Sequence, residues 1–203
     1  GASWSEALNI VREFAKVDSS IAHVFGFQHL MLATVRLFAR PDQWQPLLEQ
    51  TARKNWFWGN ALNPLDTRTI ATRFDGWREF SGTKSFCSGS SDSDMLIASA
   101  LDESASGKLL IAAIPTDRIG ITLHGDWNNM GQRQTDSGSA SFERVRVEEN
   151  ELLLDPGPLS THFSSLRPLL AQLTFVNLFL GIAEGAFEQA RDYTVNEARP
   201  WFK

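Results

Sequence analysis

Residues 80–94 read Phe-Ser-Gly-Thr-Lys-Ser-Phe-Cys-Ser-Gly-Ser-Ser-Asp-Ser-Asp, or FSGTKSFCSGSSDSD. The stretch is small, polar and glycine-rich, yet it encloses Phe86 and Cys87. Three readings compete: a loose linker, a hairpin with an ordinary polar exit, and the wall of a site for a flat ligand. Upstream, Asp75-Gly76 is a turn signal between two alternating runs, which predicts a hairpin of residues 67–74 and 77–87. On such a strand Phe86 and Ser88 are two apart and face the same way, while Cys87 faces the opposite way into the core. Gly89 lets a backbone approach closely. An aromatic wall and a hydroxyl are therefore expected to meet one ligand. On local pattern alone the ordinary hairpin is the better fit.

Outward from the hairpin, residues 55–149 read as short strands. DMLIASALD and KLLIAAIP are apolar runs expected to be buried on at least one face, and GITLHGDW and GSASFERVRVEE complete an antiparallel set. Strands at this spacing favour a barrel or sandwich. Residues 3–54 read as helices. Ser3 and Glu6 form a capping box, and Ala7, Ile10, Val11 and Phe14 recur at helical spacing. Asp18-Ser19-Ser20 ends that helix and caps an apolar second one, and Pro41 opens a third running to Lys54. After Asp155–Pro158 a single long helix is expected from Thr161 to Ala198. Its apolar surface needs partner helices, because helices gain most of their stability from packing. This chain does not supply enough of them, which points to a fragment opening a larger bundle.

The chain has 203 residues and a formal net charge of −5, with no basic stripe to engage nucleic acid. The single cysteine excludes an internal disulfide framework and any cysteine-cluster metal site, and makes a reducing, cytoplasmic compartment the default. No metal-ligand spacing and no strand-linked G-x-G-x-x-G is present. The run from Leu169 to Phe187 is long enough to span a membrane, but it holds Gln172, Asn177 and Glu184 and leads into Glu188 and Arg191. A bundle-centre helix is the better reading.

Helices, a small β-barrel and then a long apolar helix resemble the acyl-CoA dehydrogenase superfamily. The motifs that carry the resemblance are the hairpin from Gly82 to Asp94, Met130-Gly131-Gln132-Arg133 with the strand that follows it, and the helix GIAEGAFEQARDYTVNEARPW. Where true dehydrogenases carry T-E-x-x-x-G-S-D, this chain has Gly59-Asn60-Ala61-Leu62-Asn63-Pro64-Leu65-Asp66. HVFGF (23–27), NWFWGNA (55–61), GTKSFCSG (82–89), MGQRQTDSGS (130–139) and EARPW (197–201) look like the dibenzothiophene monooxygenase and sulfur-acquisition oxidoreductase branch. The resemblance implies an α+β fold: an N-terminal helical domain (1–54), a central antiparallel β-barrel (55–158), and the first helix of a C-terminal bundle (159–203).

It further implies a homotetrameric monooxygenase that takes reduced FMN from a separate flavin reductase, FAD being the other candidate. Through a C4a-hydroperoxyflavin and molecular oxygen it would oxygenate a small neutral organosulfur or aromatic substrate. By the same carry-over Asn60, Leu62, Phe86, Ser88 and Trp127 border the flavin, and Phe27 lines the substrate pocket. Leu62 stands where some relatives have a hydroxyl, and Phe27 where some have tyrosine. Trp127 is equally well read as a barrel-edge aromatic. His23, one helical turn from Phe27, would donate a proton to the oxygenated flavin. A lone histidine in an apolar helix also fits a satisfied core residue. Lys84 and Arg133 are read as structural charges rather than phosphate ligands. An acyl-CoA dehydrogenase or oxidase, and a truncated assembly domain with no activity, stand as the alternatives.

Overall fold

The computed structural model describes residues 3–104 and 107–199. Pro200 and Trp201 of the EARPW motif lie outside the described residues. In chain order the elements are α1 (Trp4–Ala15), α2 (Ser19–Phe38), α3 (Pro41–Lys54), β1 (Trp58–Ala61), β2 (Ile70–Phe74), β3 (Trp77–Lys84), β4 (Met95–Asp102), β5 (Leu109–Pro115), β6 (Ile121–Leu123), β7 (Ala140–Glu148) and α4 (Leu166–Asp192).

Local chemistry sets the helix starts. The Ser3–Glu6 capping box forms at α1. The Asp18 carboxylate accepts from the Ser20 and Ile21 amides at α2 (2.8 and 3.1 Å). Pro41 sits in the first turn of α3, which ends at left-handed Asn55. The last helix is shorter than the sequence suggests. Thr161 and Ser164 exchange hydroxyl-to-amide hydrogen bonds (Ser164 N to Thr161 Oγ1 3.0 Å, Thr161 N to Ser164 Oγ 2.9 Å), and this local turn replaces helix until Leu166. At the far end α4 gives way to a π-helical turn over Tyr193–Glu197.

The seven strands form one sheet. The β2–β3 hairpin turns at Asp75-Gly76 as expected. The strand set is not wholly antiparallel: β1 and β2 both pair with one edge of β4 in parallel, while β5 runs antiparallel along the other edge. The order continues through β3 and β7 to β6. Among the described residues no ladder joins β6 back to β5 or β1, so hydrogen bonds do not close the barrel. Side chains do the closing. Ala61, Phe80, Leu96, Leu110 and Phe142 share one core cluster with Ile121, which brings strands from opposite ends of the sheet together and requires it to curl.

β4 is buried on both faces. Leu96, Ala98 and Ala100 enter the cluster inside the curl, and the alternate residues Met95 and Ile97 enter a second cluster with Leu30, Met31, Trp58 and Ile111. That second cluster binds α2 to the outside of the sheet. α4 then lies across α1 and α2. Gly181 and Gly185 let it approach so closely that a Cβ on them would stand 2.2 Å from the Arg12 carbonyl oxygen and 2.3 Å from that of Lys16, and Arg12 pairs with Glu184 through both nitrogen–oxygen contacts. α2 and α4 are both long and apolar enough to cross a membrane by length and composition. In this fold α2 packs against β1, α1 and α4.

Candidate functional site

Between α2, α4, the end of β1 and the loops after β3 and β6 lies a cavity of about 900 Å³. His23, Phe27, Asn60, Leu62, Phe86, Ser88 and Trp127 all line it. The fold therefore brings these seven side chains to one place, but Phe86 and Ser88 do not reach it by the strand alternation expected of them. β3 ends at Lys84, so neither residue is on a strand. Phe86 adopts a left-handed backbone (φ 58°), and Ser88 opens the following turn. A bulky residue at positive φ is uncommon and mildly strained. It persists because both sides of the loop are pinned. The Cys87 amide donates to the Gly138 carbonyl (2.8 Å), and the Asn60 side chain reaches the Phe86 carbonyl (3.4 Å). Gly89 is not at the cavity. Its positive φ serves the turn, and a Cβ there would meet the Phe57 ring at 3.1 Å.

The pinning continues underneath. Lys84 is fully buried and its ammonium donates to the Asn63 and Asp66 carbonyls, which supports the structural reading of that residue. Asp66 accepts from the Ser85 amide and hydroxyl (both 2.9 Å) and from Arg68 (2.6 and 2.8 Å). The Arg68 fork, with help from Ser85, holds the Asp66 carboxyl well below the usual carboxylate range. Arg133 is exposed, bonds to Asn128 and the Asn129 carbonyl, and does not line the cavity. Cys87 is fully buried and its thiol is pushed up to about 12 by burial, so it is unreactive.

Aromatic rings supply two stretches of wall. Phe86 meets Trp127 edge-on with centroids 6.1 Å apart, and the Trp127 indole donates to the Gln132 carbonyl (2.7 Å). Trp127 is thus a cavity residue and not only an edge aromatic. Across the helices, His23 stacks obliquely on Phe27 (4.2 Å), and Phe175 of α4 meets both rings edge-on at 5.6 Å.

The polar groups have a definite direction. Thr135 donates its hydroxyl proton to the Gln132 carbonyl (2.9 Å). Ser137 must then donate to Thr135 (2.7 Å), and Ser88 to Ser137 (2.8 Å). This chain leaves the Ser88 oxygen as an acceptor toward the cavity. Two buried atoms of the cavity-lining side chains have no partner among the described residues: His23 Nε2 and Gln132 Oε1. A satisfied core histidine would not be orphaned in this way. Burial lowers the His23 pKa to about 4, so the ring is neutral near pH 7 and carries one N–H rather than a spare proton.

Sequence reasoning missed the lower wall and the α4 wall: Asn63, Asp66, Arg68, Gln132, Thr135, Ser137, Arg167, Ala171, Phe175 and Phe179. One of them carried a visible signal. Arg167 is the only Lys, Arg, Asp or Glu between Asp155 and Glu184.

No family model matches the sequence. The chain is 79% identical over its full 203 residues to a probable FMNH2-dependent monooxygenase, SfnC, of Pseudomonas putida, and covers 51% of that protein. It is 41% identical over 216 residues to dibenzothiophene monooxygenase of Rhodococcus erythropolis, covering 99% of this chain and 52% of the relative. The solved methanesulfinate monooxygenase MsuC from Pseudomonas fluorescens superposes with a TM-score of 0.97 at 79% identity, over 100% of this chain and 52% of that one. Over its whole length the chain is similar to dibenzothiophene monooxygenase and to related FMNH2-dependent monooxygenases. It spans about half the length of these relatives.

FMN-bound TdsC from Paenibacillus sp. A11-2 has a TM-score of 0.90 at 40% identity, over 99% of this chain and 54% of that one. Glutaryl-CoA dehydrogenase from Mycobacterium smegmatis shares the acyl-CoA dehydrogenase fold, with a TM-score of 0.84 at 22% identity over 98% and 52% of the two chains. The cavity fits the flavin that the branch implies. Flat aromatic walls match the faces of an isoalloxazine ring. The Ser88 acceptor and the orphaned His23 and Gln132 atoms match a ligand with a polar rim.

Proposed function

We propose that the whole protein is a reduced-FMN-dependent monooxygenase that oxygenates a small organosulfur substrate. The observation that carries this reading is the single cavity into which His23, Phe27, Asn60, Leu62, Phe86, Ser88 and Trp127 converge, on a chain 79% identical to a protein described as FMNH2-dependent. Asn60, Leu62, Phe86, Ser88 and Trp127 would hold FMN. Reduced FMN supplies the activation of molecular oxygen. The protein's part is to exclude water and fix polar contacts. Phe86, Trp127, Phe27 and Phe175 keep the walls apolar. Ser88 would accept a hydrogen bond from an N–H of the bound flavin, its direction set by Ser137 and Thr135. His23 holds a neutral N–H in the cavity and stabilises oxygen-borne charge by hydrogen bonding.

The dehydrogenase alternative requires a carboxylate base at the substrate. Among the described residues the one carboxylate lining the cavity is Asp66, and Arg68 and Ser85 already engage it. The same reading makes the protein a cytoplasmic homotetramer served by a separate flavin reductase. The exposed apolar face of α4, with Leu173, Val176, Phe179 and Phe187, supports burial beneath further helices or subunits.

The test uses the full-length protein with a flavin reductase, NADH, FMN and labelled oxygen gas. The expected result is one labelled oxygen atom in the product of an organosulfur substrate. Bleaching of bound flavin by an acyl-CoA under anaerobic conditions, with no labelled product, would favour the dehydrogenase instead.

A further inference from the structure

Arg167 lines the cavity from the first turn of α4. Its one side-chain hydrogen bond among the described residues runs from Nε to the Thr34 hydroxyl (3.2 Å). Thr34 gives its own proton to the Leu30 carbonyl (2.7 Å), so it can only accept from the arginine. That contact fixes the inner end of the guanidinium and leaves the terminal Nη1 and Nη2 groups without a partner among the described residues. No carboxylate of the described residues pairs with Arg167. The other charges on the cavity wall, Asp66 and Arg68, neutralise each other. The cavity therefore carries one uncompensated positive charge. Burial lowers the Arg167 pKa only to about 10, so the charge is present at neutral pH.

A cation kept partly out of water without a counter-ion is unfavourable until an anion arrives. We propose that Arg167 anchors the substrate and selects an anionic sulfur oxyacid, a sulfinate, over a neutral organosulfur compound. The inference rests on the monooxygenase reading of the cavity and replaces the neutral substrate expected from sequence. The geometry of the group favours a sulfinate. Two equivalent oxygens match the planar guanidinium fork, and the sulfur lone pair stays free on the side away from it. A compact substrate also suits a cavity that a flavin ring would largely fill. The name of the 79%-identical solved relative includes a sulfinate, which agrees with this charge preference.

The other anion that could reach an arginine here is the FMN phosphate, and the test separates the two. Full-length protein loaded with oxidised FMN is titrated with methanesulfinate and with uncharged dimethyl sulfone, following tryptophan and flavin fluorescence. The wild-type protein is expected to bind the sulfinate roughly 100-fold more tightly than the sulfone. Arg167→Met should erase that preference, Arg167→Lys should restore part of it, and FMN affinity should change less than about threefold in both. Equal wild-type binding of the two probes overturns the proposal even if the variants do not fold. So does undiminished sulfinate binding in Arg167→Met, or a loss of FMN affinity in its place. The underlying reading is judged separately. If sulfinate binds through Arg167 but no sulfur compound is oxygenated by the reductase-coupled wild type, the monooxygenase reading falls and the anchor stands. If Arg167→Met oxygenates sulfinate as well as wild type, the anchor falls and the monooxygenase stands.

Discussion

The His23 imidazole is kept neutral by its surroundings, since burial is the cause of its lowered pKa and Nε2 has no partner. That makes it a liability in acid. The unfolded chain takes up a proton near the ordinary histidine value of 6.5, whereas the folded ring does so only near 4. Stability is therefore complete above about pH 6.5, falls between 6.5 and 4, and is not lowered further by this group below 4. The loss should be on the order of 3 kcal/mol. Asp66 acts in the same direction but at lower pH, because its folded pKa is depressed from 3.8 and its contribution fades below that value. His23→Phe should remove the first stage and leave the second. Urea unfolding at pH 7 and pH 4.5 checks this. An unchanged difference between the two pH values in the variant would refute the assignment. The sequence pointed to His23, Phe27, Ser88 and Trp127 because resemblance carries residue identity well. It could not show that His23 is orphaned or that Ser88 is turned into an acceptor, since both depend on neighbours such as Phe175 and Ser137 that are distant in the chain.

Helix and hairpin positions were legible where the chain marks its own boundaries. Ser3–Glu6, Asp18, Pro41 and Asp75-Gly76 each satisfy or redirect backbone groups within a few residues. Two features were not legible. The parallel pairing of β1 with β4 joins segments separated by more than thirty residues, and no turn residue announces it. The strand after Lys84 ends because Cys87 bonds across to Gly138 rather than along a ladder. The α1–α4 contact makes the most demanding use of a small residue. A Cβ on Gly181 would stand 2.2 Å from the Arg12 carbonyl oxygen and 2.7 Å from Ala15 Cβ. Backbone cannot yield as a flexible side chain would, so Gly181→Ala must lift α4 away from α1 and loosen the Arg12–Glu184 pair. The expected destabilisation is roughly 2–3 kcal/mol, partly offset by the better helix propensity of alanine. Chemical denaturation of the variant would show it. Stability equal to or above wild type would mean that the two helices do not approach this closely.

The cavity is assembled from parts that share no local sequence, and this makes its integrity a property of the joints between them. α2 and α4 give one wall, β1 and residues 85–88 another, and the loop around residues 126–137 a third. The third wall is joined to the second by Asp136, whose carboxylate accepts from the Ser91 amide (2.8 Å), and to α2 by the Gln134 amide on the Ser20 hydroxyl (3.4 Å). Asp136 does not touch the cavity, yet it fixes the loop that presents Trp127, Gln132 and Ser137 to it. Its left-handed backbone (φ 46°) suits Asp or Asn better than alanine. In the full-length protein Asp136→Ala should weaken FMN binding roughly three- to tenfold, since one charge-assisted hydrogen bond and a compatible backbone conformer are lost together. Asp136→Asn retains an acceptor and the conformer, so it should bind FMN nearly as wild type does. Flavin fluorescence titration reads the affinity directly. Melting with and without FMN gives an independent measure, because a ligand bound to the native state raises the transition by mass action. A variant that melts lower without FMN but binds it with native affinity would show that the loop holds its cavity face without this joint, and that Ser20 and Gly138 alone suffice to position the third wall.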